Sequence, residues 1–124
     1  MNVELTIRAW FELLQVDLIH LRGFRALHRA VSRTPTRRMT PSPTAISDVV
    51  AAITSACLWY VRAPKCLERS AVITRLLRRR GVAAEMIVGC HPSPVTGHAW
   101  VEVAGAVVGD HMDGLEHFHV LDRW

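Results

Sequence analysis

Cys66 follows Arg62-Ala63-Pro64-Lys65 and opens a run with helical spacing. His98 comes 32 residues later, within Gly97-His98-Ala99-Trp100-Val101-Glu102-Val103, and Asp110 follows after another 12. These three residue types can together make a cysteine nucleophile. A free thiol with a pKa near ~8.5 is only slightly ionised at neutral pH, and a helix N-terminus or an imidazolium neighbour favours the thiolate. The local sequence offers both. Pro64 bars a helix from entering from upstream, Leu67, Ala71, Thr74 and Leu76 or Leu77 recur at helical period, and Gly81 supplies a stop. Cys66 then sits in a first turn, where backbone N–H groups lack partners and the helix dipole favours negative sulfur. His98 would carry the proton between thiol and leaving amine, and Asp110 would hold the imidazole tautomer. The chemistry implied is acyl transfer, with peptide hydrolysis as its leading form.

Whether Asp110 can reach His98 depends on a hairpin register. Two even-numbered residues share a face of an antiparallel pair only when the numbers of cross-strand partners sum to an even number. Pairing Val103 with Val107 satisfies this and leaves a three-residue loop, Ala104-Gly105-Ala106, with Gly105 suited to a left-handed position. A two-residue Ala104-Gly105 turn would send Asp110 to the opposite face. The catalytic reading therefore expects the three-residue loop.

Each candidate also has a plain structural role to weigh. Cys57, on an apolar stripe, and Cys90, at a strand end, read as small buried hydrophobes. Trp100 reads as a core or cleft-wall residue, and Glu102, on the same strand face as His98, is an alternative charge partner. The Cys66 N–H is the natural first oxyanion donor; Trp59 Nε1 and the Tyr60 hydroxyl are candidates for the second. His111, Asp113, His117 and His119 crowd the tail, and His117 and His119 would alternate onto one strand face. Surface histidine pairs are far commoner than metal sites, so no metal is assigned, and the chemistry needs no cofactor. His111 or Asp113 would replace Asp110 if the register differed.

The elements that must position these groups fall into two blocks. Residues 3–31 read as mostly helical and amphipathic, residues 32–44 hold three prolines and read as a linker, and 45–60 form a second helix with Ile46, Val49, Val50, Ile53, Cys57 and Tyr60 as its stripe. After the Cys66 helix, strands are expected at 84–89, 98–103, 107–110 and 118–121. Helices followed by a small antiparallel sheet make an α+β fold. The expected organisation is one domain over 1–124: a helical arm (1–31), the linker (32–44) and a catalytic core (45–124).

Half of the 124 residues are apolar, which argues against disorder. Arg8, Glu12, Asp17 and His20 interrupt the N-terminal stretch, so it is not expected to span a membrane, and Met1-Asn2-Val3-Glu4 lacks the basic start of a signal peptide. Three cysteines without a pairing pattern fit a reducing cytoplasm. The formal charge of +4 divides into +4 over residues 1–44, +5 over 45–80 and −5 over 81–124. Arg22, Arg25, Arg29 and the run Arg78-Arg79-Arg80 are the candidate partner-binding surface; no RNA motif or recognition helix points to nucleic acid.

Four blocks carry a family resemblance: Lys65-Cys66-Leu67-Glu68-Arg69-Ser70, Leu76-Leu77-Arg78-Arg79-Arg80-Gly81-Val82-Ala83-Ala84-Glu85, Gly97-His98-Ala99-Trp100-Val101-Glu102-Val103, and Gly109-Asp110. Over about residues 45–121 they closely resemble the leader peptidases of lasso-peptide biosynthesis. The resemblance implies a transglutaminase-like, papain-like cysteine peptidase fold, with Cys66 as nucleophile, His98 as general base and then acid, and Asp110 as orienting carboxylate. It also implies a ribosomal precursor as substrate, cut just before its core peptide, commonly near a Thr at the leader's end. The small size resembles the stand-alone form, which works with a separate leader-binding protein and an ATP-dependent cyclase. Two other readings of the same residues remain open: a transglutaminase-type or acyltransferase enzyme with an amine acceptor, and a non-catalytic partner-binding module.

Overall fold

The computed structural model describes residues 2–93, 95–110 and 115–124. Asn2 starts α1 (Val3–His20), its side chain accepting the Leu5 N–H at 3.0 Å, and Leu5, Ala9, Leu13 and Val16 form the buried stripe. The run expected to be one helical arm is divided at Gly23, whose φ of 109° no right-handed helix can hold, and α2 (Phe24–Ser32) buries Leu27 and Val31. A loop over 33–44 leads to α3 (Ala45–Trp59), which packs against α1. The central element is α4 (Cys66–Arg79), touched by the other three helices and by the sheet, with every residue from Ser70 to Arg78 buried. Gly81 ends it at φ 84°: the Val82 N–H reaches back to the Leu77 carbonyl at 3.0 Å and the Gly81 N–H to that of Arg78 at 3.1 Å.

The sheet comprises β1 (Ala84–Pro92), β2 (Val95–Val103), β3 (Ala106–Val108) and β4 (His119–Arg123), in the order β3-β2-β1-β4 and antiparallel throughout. Ala84, Met86 and Val88 pair with Val103, Val101 and Ala99, and this face joins the helices in the core. The opposite face carries Gly89, His98, Trp100 and Glu102. Among the described residues no helix is long and apolar enough to cross a membrane.

Two sequence expectations are corrected here. The hairpin after β2 pairs Val103 with Ala106, Glu102 with Val107 and Val101 with Val108, so its loop is the two-residue Ala104-Gly105 turn. Both turn residues have positive φ, 51° and 81°, the combination whose twist matches the flanking strands. An alanine at such a position is uncommon, which is why the three-residue loop is the expectation from sequence. The second correction concerns the tail. His117 closes a 3-10 turn (Leu115–His117) and His119 begins β4, so they do not alternate along one strand. His111 and Asp113 lie outside the described residues.

Arg78 is also reassigned, from the partner-binding surface to the interior. Its guanidinium donates to the carbonyls of Val31 (2.7 Å), Thr34 (3.3 Å), Ala84 (2.9 Å) and Trp124 (2.7 Å), and burial pushes its pKa down. One side chain thereby ties α2, the loop, β1 and the C-terminal residue to α4.

Candidate active site

Lys65 precedes α4 with extended backbone (φ −82°, ψ 169°) and offers no side-chain cap, so Cys66 is the first helical residue, in the turn whose amides have no acceptor within the helix. Residues one turn further on share its face of the helix. Ser70 Oγ donates to the Ala99 carbonyl at 3.1 Å, and Arg69 Nη1 donates to the Gly109 carbonyl at 2.6 Å. The same stretch of helix that carries the thiol is thus tied to the strand beside His98 and to the turn before Asp110.

His98 Nε2 lies 2.8 Å from Asp110 Oδ2, with both side chains partly exposed. The two-residue hairpin does not prevent this contact, because β3 stops at Val108 and Gly109 takes φ 72°. At that point strand parity no longer governs the chain, and Asp110 turns back over the face that His98 occupies. A Cβ at Gly109 would press on Ile73 at 3.3 Å and Val50 at 3.4 Å, so the turn also needs glycine for space. The ring of His98 stacks on Trp100 (centroids 6.0 Å, 23°) and meets Phe118 at 5.8 Å. Cys66, Arg69, His98, Trp100, Gly109 and Asp110 line one cavity of about 230 Å³. Among the described residues no hydrogen bond joins the Cys66 thiol to His98.

The approach to Cys66 is held by a polar cluster that sequence reasoning missed. Asp17 accepts the Tyr60 hydroxyl at 2.6 Å and the Arg62 guanidinium, which also reaches the buried Glu68 at 3.2 Å; His20 Nδ1 lies 3.4 Å from Glu68. Burial works against ionisation of Asp17, but the hydrogen bonds from Arg62 and Tyr60 outweigh it and hold the carboxyl below its ordinary range. Burial and the Asp17 bond push the Tyr60 phenol up, keeping it a donor. In sequence Asp17 lies far from Arg62 and Glu68, and no local pattern marks the three as partners.

The remaining candidates are distributed as follows. Neither Trp59 nor Tyr60 lines the cavity: the Trp59 side chain is exposed, and the Tyr60 hydroxyl is committed to Asp17. Glu102 accepts from Trp100 Nε1 at 2.9 Å and from Arg123 at 3.3 Å, so it serves Trp100 rather than His98. Burial raises the Cys57 thiol pKa, favouring the neutral, inert form. Arg22, Arg25 and Arg29 are exposed, while Arg79 is half-exposed and paired with Glu12 at 2.8 Å.

Comparison with known proteins adds a family. The chain is 38% identical over 45 residues to the microcin J25-processing protein McjB of Escherichia coli, an alignment covering 36% of this chain and 22% of that protein. It therefore spans only about a fifth of the curated relative it matches. No solved structure matches the chain significantly. A family profile described as "Transglutaminase-like superfamily" matches residues 11–123, nearly the whole molecule. With helices first, a small antiparallel sheet after them and a helix-borne cysteine against it, the chain belongs to the transglutaminase-like superfamily.

Proposed function

We propose that this protein is a cysteine peptidase that removes the leader from a ribosomally made lasso-peptide precursor. The observation that carries the reading is the 2.8 Å His98–Asp110 pair lining one cavity with the thiol at the start of α4. With Nε2 engaged by the carboxylate, His98 has Nδ1 left for proton exchange with the thiol. The Cys66 thiolate adds to the scissile carbonyl, and the Cys66 N–H receives the developing oxyanion. His98 protonates the departing amine, leaving a thioester on Cys66. Water, deprotonated by His98, then hydrolyses the thioester and releases the leader's carboxylate. The freed amine of the core peptide becomes available to an ATP-dependent cyclase. Similarity to a microcin-processing protein supports the substrate class.

The cavity, at about 230 Å³, is below the usual size of a small-molecule site and suits only the residues flanking the cut. That supports dependence on a separate leader-binding protein, with Arg22, Arg25 and Arg29 as exposed contacts for it. The test is cleavage of a co-encoded precursor, with its leader-binding protein, by the wild type and by Cys66→Ala and Cys66→Ser. Both variants are expected to lose cleavage while circular dichroism and Tm stay nearly unchanged, because little volume is removed. Retained cleavage would sink the mechanism.

A further inference from the structure

A second and larger cavity, about 830 Å³, lies at the other end of α4, between α1, the 33–44 loop and Leu76, Arg79 and Arg80. Ile7, Phe11 and Met39 line it with side chains about half exposed. Arg8, Arg33, Arg37 and Arg80 stand around them. The acid lining it, Glu12, is buried and bound by Arg75 at 3.0 Å and Arg79 at 2.8 Å, so it offers no free negative charge; Glu4 offsets Arg8 alone, at 2.8 Å. The wall is built rather than accidental. The Arg37 N–H donates to the Arg78 carbonyl at 2.8 Å, and the loop seats on Gly81 so closely that a Cβ there would collide with the Met39 carbonyl.

We propose that this groove docks an acidic segment of the substrate's own leader, anchored by aliphatic or aromatic side chains, upstream of the bond that is cut. The inference rests on the leader-peptidase reading and deepens it. Apolar side chains between arginines call for a ligand that alternates apolar anchors with carboxylates. A nucleic acid would instead ask for a run of phosphate contacts with several stacking rings, and Phe11 is the sole aromatic lining the groove among the described residues. Reach favours the leader as the source. Cys66 and Arg79 are thirteen residues apart on α4, or about 20 Å at 1.5 Å per residue. An extended chain needs at least about six residues for that span, and more to pass over the surface, since α4 is buried from Ser70 to Arg78. The catalytic cavity holds only the residues at the cut, so a site at this distance lets a small enzyme read further along the leader.

Two measurements test the proposal. In the first, fluorescence anisotropy on Cys66→Ser follows a labelled ten-residue peptide alternating Glu with Leu and Phe, and a counterpart with Lys in place of Glu. The acidic peptide should bind, the Lys peptide should not, and Phe11→Ala or the pair Arg37→Glu and Arg80→Glu should weaken binding by about tenfold or more. In the second, the acidic peptide carries a chloroacetyl group beyond a Gly-Ser spacer of two to twelve residues, and labelling of Cys66 in the wild type is mapped by mass spectrometry. Labelling should accelerate by on the order of 100-fold over free chloroacetamide once the spacer exceeds about six residues, and the groove variants should abolish the gain. Equal binding of both peptides, indifference to the groove variants, or preferred binding of oligo-dT or phosphatidylglycerol vesicles would overturn the groove assignment. A Cys66 that reacts normally with chloroacetamide under those outcomes leaves the peptidase reading intact. A Cys66 inert to free chloroacetamide counts against the peptidase reading and, with it, the leader as the occupant.

Discussion

At His98 the nitrogen that meets a carboxylate is Nε2, and that contact organises the proposed chemistry. Nε2 faces Asp110 at 2.8 Å, while Trp100 and Phe118 both pack against the ring and against each other. In the proposed mechanism the carboxylate holds the tautomer with a proton on Nε2 while Nδ1 takes the thiol proton. Asp110→Asn keeps size and shape but loses that charge. Precursor cleavage is expected to fall by about two to four orders of magnitude with Tm little changed, measured by single-turnover kinetics and thermal unfolding. Activity within a fewfold of wild type would remove Asp110 from the machinery.

Helix α4 acts as the frame of the site, because Cys66, Arg69 and Ser70 project from one stretch of it and each reaches a different part of the cavity. Arg69 is a positioning residue: its bond to the Gly109 carbonyl fixes the turn that returns Asp110 to His98. Arg69→Met should lower stability by about 1–3 kcal/mol through loss of a charged donor to a part-buried carbonyl. It should also slow cleavage at saturating substrate more than it raises KM, as expected for misplaced catalytic groups. Arg69→Lys retains a donor and should recover part of kcat. Loss of stability with kcat unchanged would make Arg69 merely structural.

Across the whole molecule, polar ties hold the N-terminal helices to the half that carries the candidate site. Asp17 on α1 grips Tyr60 and Arg62 just before Cys66, and Arg78 links α4 to residues 31, 34, 84 and 124. Asp17 makes this assembly pH-dependent. Its folded carboxyl is held below the ordinary value of 3.8, so folding favours the ionised form. The contribution is complete above that value and is lost as pH falls through the lower folded one. The Tm difference between wild type and Asp17→Asn should therefore be largest near neutral pH and shrink towards zero as pH drops below about 4. A gap independent of pH from 6 to 2.5 would show that the charge of Asp17 does not contribute.

Chain order, element type and the candidate chemistry were legible in the residues because those signals are local. Apolar period marks helices, Pro64 and Gly81 bracket α4, and Cys66, His98 and Asp110 stand out by type and order. The hairpin register was not legible: the alternation of β2 and β3 fits either loop, and a left-handed Ala104 has no sequence signature. Nor was the way Asp110 reaches His98, which depends on Gly109 leaving the strand and on Arg69, forty residues earlier, holding its carbonyl. Arg78 and Arg79 are adjacent and chemically identical in sequence, yet one is buried against four carbonyls and the other is half-exposed. Sequence alone determined which groups exist and that Cys66 starts a helix and His98 lies on a strand, whereas Asp110, expected to end a strand over 107–110, lies past the end of β3 at Val108. Which groups meet was decided by tertiary structure, since long-range bonds and burial depend on neighbours that local pattern cannot supply.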